Sequence, residues 1–481
     1  MTEPLERPPL PDLARRGREG AKYPAVRISR FRPVLVALTL GAAFPLATAA
    51  GESPPSNWPN WRGPTADGIS TETGLPIHLT PEATGIWKTA VPGRGHSSPV
   101  VWEGRIFLSS SLTGGPSGTQ PPVHIRDGEV YLHPGSTDGD LSHTLLALAY
   151  DAETGAELWR RVLHDGPVYD NIYRSNTYAS PTPLTDGERV YFYFGSEGFH
   201  ALTLDGEPVW SQDLGDIGVW GLGHGISPVL HQDLLILVCD DDGGEKSFLA
   251  AIDRRTGEVA WQRPRRVRKS WATPSLVPVG DTIQLVVASY DRMAGYDPGT
   301  GAELWRAAGF DSNLVHTPVH GPSGAGRIVF ASTGYPRKEM RAIRLAPGAP
   351  PEIAWSHQGG TGYLPSALLY EGVLFFLSDG GIITALDPES GEELFQARPP
   401  TPGRYHASPV GYEGNVLIAS LEGDLLLFRA ARRFEPVAEG AVPEAVWASP
   451  AISGGSLFLR GAEHLYAFSN SDGRGPTGAN R

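Results

Sequence analysis

Apolar residues in this chain gather in short runs, alternating with polar positions or standing as compact blocks, each bounded by Gly, Asp or Pro. Residues 189–194 (Arg-Val-Tyr-Phe-Tyr-Phe) and 233–238 (Asp-Leu-Leu-Ile-Leu-Val) are typical. Runs this short, rich in β-branched and aromatic residues and closed by turn formers, predict strands and exclude a helical solenoid.

Two signatures recur out of phase. The first is a small hydroxyl residue before proline and an apolar stretch: Ser98-Pro99, Ser180-Pro181, Ser227-Pro228, Thr273-Pro274, Thr317-Pro318, Ser408-Pro409 and Ser449-Pro450. Pro365-Ser366 is an eighth copy in which Ser366 takes the proline place. From Pro181 onward the steps are 47, 46, 44, 48, 43 and 41 residues. The second is an apolar run, a turn and an aromatic, clearest in residues 151–159 (Asp-Ala-Glu-Thr-Gly-Ala-Glu-Leu-Trp) and repeated at 253–261, 297–305 and 387–395. Looser copies end at Trp210 and Trp355, and a poor one passes through Phe434. Asp bonds backbone N–H groups in such turns and Gly takes positive φ, so each unit is a series of short antiparallel strands. A unit of about 45 residues with this content predicts radial repetition. The fold class is all-β: an eight-bladed β-propeller of four-stranded antiparallel blades.

The last unit holds only three strand-like runs, at 448–452, 456–460 and 464–469. Trp87 precedes Pro99 by 12 residues, as Trp261 precedes Pro274 by 13 and Trp305 precedes Pro318 by 13. The stretch 86–91 is therefore expected to complete the last blade, an N-terminal strand closing the ring and leaving no open edge. The 82-residue step from Pro99 to Pro181 contains one anchor and one terminal aromatic, Trp159. It is read as an insertion in blade one at 112–142, with a protruding hairpin around Val130-Tyr131-Leu132. The expected organisation is a polar leader and signal peptide (1–50), an extended strap (51–85), the propeller (86–470) and a flexible tail (471–481).

Gly (59) and Pro (44) are abundant but stay below the level of a low-complexity chain, and 40% apolar residues supply a core. Arg27, Arg30 and Arg32, the apolar run 34–44 and Ala47-Thr48-Ala49 read as a secretory signal cleaved near Ala49, too short to span a bilayer. Cleavage would remove eight basic and four acidic residues and take the net charge from −13 to −17. The expected location is periplasmic or extracellular, with no membrane span. A protein this acidic has no general grip on nucleic acid. A monomer is expected. The single cysteine, Cys239, ends an apolar strand and reads as a buried, inert thiol.

Three residues before the anchors stand His96, Tyr178, Gly225, Trp271, Val315, Tyr363, His406 and Trp447; five before them stand Arg94, Asn176, Gly223, Lys269, Asn313, Thr361, Arg404 and Ala445. Strand alternation would place both sets on one face, at the mouth of the central channel. Ring faces and cations there would bind a planar or anionic ligand through Arg94, His96, Tyr178, Lys269, Trp271, Asn313, Tyr363, Arg404, His406 and Trp447; the alternative is that the aromatics fill a narrow axis and the cations are solvated. The acidic run 240–245 reads either as a solvated hairpin tip or as a calcium loop of oxygen ligands. The basic run 263–269 (Arg-Pro-Arg-Arg-Val-Arg-Lys) either extends the cationic rim or meets an acidic partner. No Ser/His/Asp triad or Gly-x-Ser-x-Gly elbow is present.

The hydroxyl-proline anchors and the Asp-x-x-Thr-Gly-x-x-x-Trp segments resemble the pyrroloquinoline-quinone (PQQ)-type repeats of eight-bladed propellers, over roughly residues 86–470. Residues 57–64 (Asn-Trp-Pro-Asn-Trp-Arg-Gly-Pro) through Gly74-Leu75-Pro76 resemble the leader of secreted bacterial proteins built from such repeats. The resemblance implies that Trp87, Trp159, Trp210, Trp261, Trp305 and Trp355 are structural, docking between blades. One fold hosts both quinone-dependent dehydrogenases and assembly scaffolds. A dehydrogenase would need PQQ, a calcium ion and an aspartate base; many such enzymes carry an adjacent cysteine pair, which this chain lacks, and Asp311 and Asn313 are its best calcium-ligand candidates. The leading expectation is a non-catalytic, exported propeller without a cofactor that binds a protein or ligand through its loops and axial mouth. The alternative is a PQQ- and calcium-dependent alcohol or sugar dehydrogenase. A sugar- or polymer-acting hydrolase would need a carboxylate pair that sequence cannot locate.

Overall fold

The computed structural model describes residues 57–470 except Asp127 and Lys269. The expected signal peptide, the tail 471–481 and Lys269 of the proposed mouth lie outside the described residues. Eight four-stranded antiparallel sheets follow one another along the chain, each in chain order from its innermost strand outward. Blade one is Val100–Trp102, Arg105–Pro116, Leu141–Asp151 and Glu157–Pro167; the last is Ala451–Ser453, Ser456–Arg460, His464–Ser469 and, from the other end of the domain, Gly85–Ala90. Thr89 faces Leu465 in that closing pair, and the Val91 N–H donates to Glu463 O at 2.8 Å. The ring is closed as the strand count required.

Every anchor lies just before an innermost strand, and six of the eight lend their hydroxyl to a bond between blades, Thr182 standing in for Ser180, whose own hydroxyl donates to Asn176 Oδ1. The Ser98 N–H donates to Thr182 Oγ1 at 2.9 Å, Thr182 to Ser227 Oγ at 2.9 Å, and Ser227 to Thr273 Oγ1 at 3.0 Å. On the other side Thr317 donates to Ser366 Oγ at 3.0 Å, Ser366 to Ser408 at 2.9 Å, Ser408 to Ser449 at 3.0 Å and Ser449 to Ser98 at 3.0 Å. This belt satisfies buried N–H groups that adjoining prolines leave outside any sheet ladder. Thr317 Oγ1, at the one open link, is buried and makes no hydrogen bond among the described residues.

A second belt runs around the outside. Indole N–H groups donate to backbone carbonyls of the next blade: Trp87 to Ala152, Trp159 to Leu204, Trp210 to Arg254, Trp261 to Pro298 and Trp355 to Pro388. Each of these indoles covers the turn glycine of that blade, and a Cβ at Gly206 would stand 2.6 Å from the Trp159 ring. The Thr-Gly turn and the tryptophan are thus two halves of one interblade joint. Trp305 departs from this, donating to Gln284 Oε1 of its own blade, because the following turn reads Ala-Pro-Gly-Ala-Pro. The core lies between blades: Ile236, Val238 and Leu249 of blade three pack with Leu285, Val287 and Ala294 of blade four.

The strap 57–84 crosses the ends of the inner strands opposite the anchors. Trp58 pairs with Val101 of blade one, Pro59 O accepts from Thr185 of blade two, and Ile69 bridges Gly411 of blade seven. Arg62, 1% exposed, donates to Ala367 O of blade six at 2.7 Å. One short segment thus meets residues of blades one, two, six and seven. Cys239 is buried beside Tyr193, and burial pushes its thiol up to about 12.

Candidate functional site: the mouth face

Loops entering the innermost strands and loops joining each second and third strand share one face, the face of the anchors. The residues proposed for the mouth lie in the former loops, not in strands, because the inner strands begin only after each proline. Strand alternation therefore does not govern them, and each side chain follows its own loop.

Three of them converge. His96 stacks on Trp447 with centroids 4.4 Å apart and planes at 6°, and His406 meets the same indole edge-on at 4.6 Å. Burial, with Arg460, Arg94 and His406 adding to it, drives His96 well below the usual histidine range; burial brings His406 to about 4. Both are neutral rings at neutral pH. Beneath them the buried Arg460 donates to Ser97 O at 3.1 Å and Ser109 O at 2.9 Å, and burial lowers it to about 10. Tyr363 sits against Tyr335, with centroids 6.0 Å apart, its backbone N–H held by Asp379 at 2.7 Å. Burial raises its phenol to about 12, and Tyr173, from the blade one to two connection, adds to that field.

The others do not form the expected cationic ring. Tyr178 is buried below the surface, its hydroxyl donating to Asp170 O at 2.7 Å. Trp271 donates its indole N–H to Gly223 O at 2.8 Å. Arg94 donates to Asn176 O at 3.3 Å and lies 4.0 Å from Asp138, while Arg404 pairs with Glu422 at 3.0 Å. The described cations are thus turned to local carboxylates. Asn313 bridges Tyr335, Asp311 is exposed, and among the described residues no three His, Cys, Asp or Glu side chains converge to hold a metal.

The acidic run is solvated only at its tip, where Glu245 is exposed and Asp242 half-buried. Asp240 and Asp241 are buried; Asp240 pairs with the buried Arg265 at 3.4 Å and accepts from Ser270 Oγ at 2.7 Å. Burial, opposed by Arg265, raises Asp240 to about 6. The acidic and basic runs, distant in sequence logic, are two sides of one joint.

The prominent feature of this face is the blade-one insertion. Strands His124–Arg126 and Glu129–Tyr131 pair as a hairpin, and Ser136–Thr137 pairs with Ile172–Tyr173. Alternation gives the hairpin two faces. His124, Arg126 and Tyr131 turn toward the propeller, where Tyr131 and Arg126 pack on Trp220 at 5.2 and 4.9 Å. His124 is held between Asp242 of blade three (Nδ1 to Oδ2, 2.6 Å) and Asp170 of the blade one to two connection (Nε2 to Oδ1, 2.8 Å). Burial opposes its charge, but the two carboxylates prevail and carry it to about 9, a pinned imidazolium. Val123, Ile125, Val130 and Leu132 occupy the opposite face and are 70, 53, 74 and 69% exposed. This cap latches to blades one to three and turns its aliphatic face outward. Sequence reasoning saw the hairpin's alternation but not His124, Asp170 or Trp220, since nothing local says which face meets the propeller.

Eight closed blades joined by tryptophan turns define a PQQ-type β-propeller. The family model described as "Outer membrane protein assembly factor BamB" matches residues 141–269 and 245–475, and the chain belongs to that family. It is 25% identical over 243 residues, 48% of this chain, to the outer membrane protein assembly factor BamB of Burkholderia pseudomallei (strain K96243), and spans 60% of that relative's length. In fold it is similar to BamB from Moraxella catarrhalis (TM-score 0.51, 13% identity, 76% of this chain and 99% of that one). It is similar also to the quinohemoprotein alcohol dehydrogenase of Comamonas testosteroni (TM-score 0.62, 12% identity, 88% and 83%). Among the described residues no helix is long and apolar enough to cross a membrane.

Proposed function

We propose that the protein is a non-catalytic binding platform of the bacterial cell envelope that engages a protein partner through the mouth face, in the manner the name of its family indicates for outer-membrane protein assembly. The observation that carries this reading is the cap: four aliphatic side chains of one small hairpin stand in solvent while a buried ion triad fixes its polar face to the blade one to two connection and to blade three. An exposed contiguous apolar surface on a rigid mount is what a partner site offers, and water alone would select against it. Tyr335, Tyr363 and the His96–Trp447–His406 stack supply aromatic rings on the same face, against which a planar group of the partner can lodge. Family membership supports a periplasmic, outer-membrane-associated location.

The test is genetic and biochemical together. Deleting the gene in the producing bacterium should lower the amount of outer-membrane proteins assembled, and Ile125→Asp with Val130→Asp should fail to restore it while the purified variant keeps its unfolding midpoint. Full rescue by that variant would take the cap out of the reading, and substrate-dependent dye reduction by protein given PQQ and calcium would reverse it in favour of the dehydrogenase.

A further inference from the structure

Neighbouring blades are held together at the hub by the anchor hydroxyls, at the rim by the tryptophan joints and across the lower ends of the inner strands by the strap. Among the described residues all three pass over one junction, that of blades four and five. The hub belt runs from Ser98 to Thr273 and resumes at Thr317, with no bond between Thr273 and Thr317. Beside this gap Ser312 Oγ, His316 Nε2, Thr317 Oγ1 and His320 Nδ1 are buried without a hydrogen-bond partner, four such atoms within nine residues at the entry to blade five. A tightly closed junction leaves few polar groups in that state.

The rim joint fails there for a reason written in the sequence. Four residues before the aromatic stand Gly155, Gly206, Gly257, Gly301 and Gly391, but in blade five that place is Pro351, preceded by Pro350 where the clear repeats have Thr or Ser. A Cβ at each of those glycines would stand 2.6 Å from the indole docked on it, so a proline in that place excludes the ring. Trp305 folds back onto its own blade, and Gly295 makes the room. The residue facing the aromatic is Ala149, Ala201, Ala251, Ala342 or Ala385 in other blades; at Gly295 a Cβ would stand 2.2 Å from Trp305 Nε1. The strap adds to the asymmetry. Its hydrogen bonds reach Val101 of blade one, Thr185 of blade two, Ala367 of blade six, Gly411 of blade seven and Gly455 of blade eight, and among the described residues none reaches blades three to five.

We propose that this junction is a seam at which the ring opens locally while every blade stays folded. What crosses it is an apolar cluster, in which Val286 and Ala288 of blade four pack with Val329 and Ala331 of blade five, and a few separate bonds. The Trp271 N–H donates to Leu314 O at 2.8 Å, Arg327 Nε to Pro278 O at 3.2 Å, Arg341 Nη1 to Ala308 O at 3.0 Å, and the Ser275 hydroxyl to Pro318 O. Parting them brings water to the four unpaired atoms, which offsets part of the lost contact, and breaks no strand ladder; openings of this kind are local rather than global. The strap ties blades six, seven, eight, one and two into one arc, so the movement is confined to the other side. Trp271 stands on the loop entering blade four and Tyr335 in a loop of blade five, so opening the seam widens the mouth between them.

The test is thiol labelling of the full chain in a Cys239→Ala background. Single cysteines replace buried alanines on the two sides of the seam, Ala288→Cys and Ala331→Cys, and at two junctions that keep both hub bond and tryptophan joint, Ala147→Cys between blades one and two and Ala251→Cys between blades three and four. Under native conditions a water-soluble aromatic disulfide should modify the two seam cysteines at least tenfold faster than the two controls. The seam rates should stay nearly constant in urea well below the unfolding midpoint, because a local opening exposes little surface, whereas the control rates should climb with urea. Arg327→Met removes one bond that crosses the seam at a distance in sequence from both probes, and should quicken the seam cysteines at least threefold and leave the controls unchanged. Equal rates at all four positions, seam rates that climb with urea as the controls do, or an Arg327→Met variant that changes the seam and control rates alike would each overturn the seam.

Discussion

The backbone N–H of Ser449 donates to Ser98 Oγ across 351 residues of sequence, 3.0 Å apart, and so joins the last blade to the first. With the strand Gly85–Ala90 it makes ring closure a matter of two independent bonds, one at the hub and one in the outer edge of the last blade. Replacing Ser98 by Ala leaves the buried Ser449 N–H unpaired, which costs about 1 to 3 kcal/mol. Urea unfolding of Ser98→Ala should register that loss, and an unchanged midpoint would show that the belt carries no stability.

The outer joint makes a sharper prediction because it couples two residues. Gly206→Ala sets a methyl against the Trp159 indole at a positive φ of 83°, and Trp159→Ala removes a large buried side chain, a change worth about 3 to 5 kcal/mol. In a double-mutant cycle the combined loss should fall short of the sum by more than about 0.5 kcal/mol, since the methyl has no ring left to strike. Additive values would separate the glycine from the tryptophan.

His124 gives the cap a defined pH response. Its folded pKa of about 9 lies above the ordinary 6.5, burial being outweighed by Asp170 and Asp242. The stabilisation is therefore complete below pH 6.5 and fades as pH rises through 9. Hydrogen exchange at residues 124–131 should accelerate over that window beyond the intrinsic rate, while the blades stay protected. In His124→Gln the excess acceleration should vanish.

Glu197 titrates in the opposite sense. Burial raises it to about 7 from an ordinary 4.5, so the folded state disfavours its charge and loses stability as pH rises from 4.5 to 7. Its carboxylate accepts the Tyr169 N–H at 2.7 Å, a bond the Gln carbonyl oxygen can keep. Glu197→Gln should raise the unfolding midpoint at pH 8 and leave it unchanged near pH 4; a destabilised variant at pH 8 would mean that the charge is needed.

What the sequence determined by itself is whatever repeats. Seven hydroxyl-proline anchors with the variant Pro365-Ser366, the Asp-x-x-Thr-Gly turns and the tryptophans each act at one fixed place in a unit, so their spacing carried the blade count and the origin of the closing strand, expected at 86–91 and found at Gly85–Ala90. The mouth was only partly legible. His96, His406 and Trp447 meet as rings, but Tyr178 turns inward and Arg94 and Arg404 turn to carboxylates, because loop residues obey no period. The tertiary structure alone decided that Arg265 answers Asp240, that Arg62 of the strap is buried against blade six, and that His124 of the insertion lands between carboxylates from two other parts of the ring. The physical reason is range: turns and strand pairs are set by neighbours a few residues apart, whereas a buried charge is fixed by whichever opposite charge the closed ring brings to it.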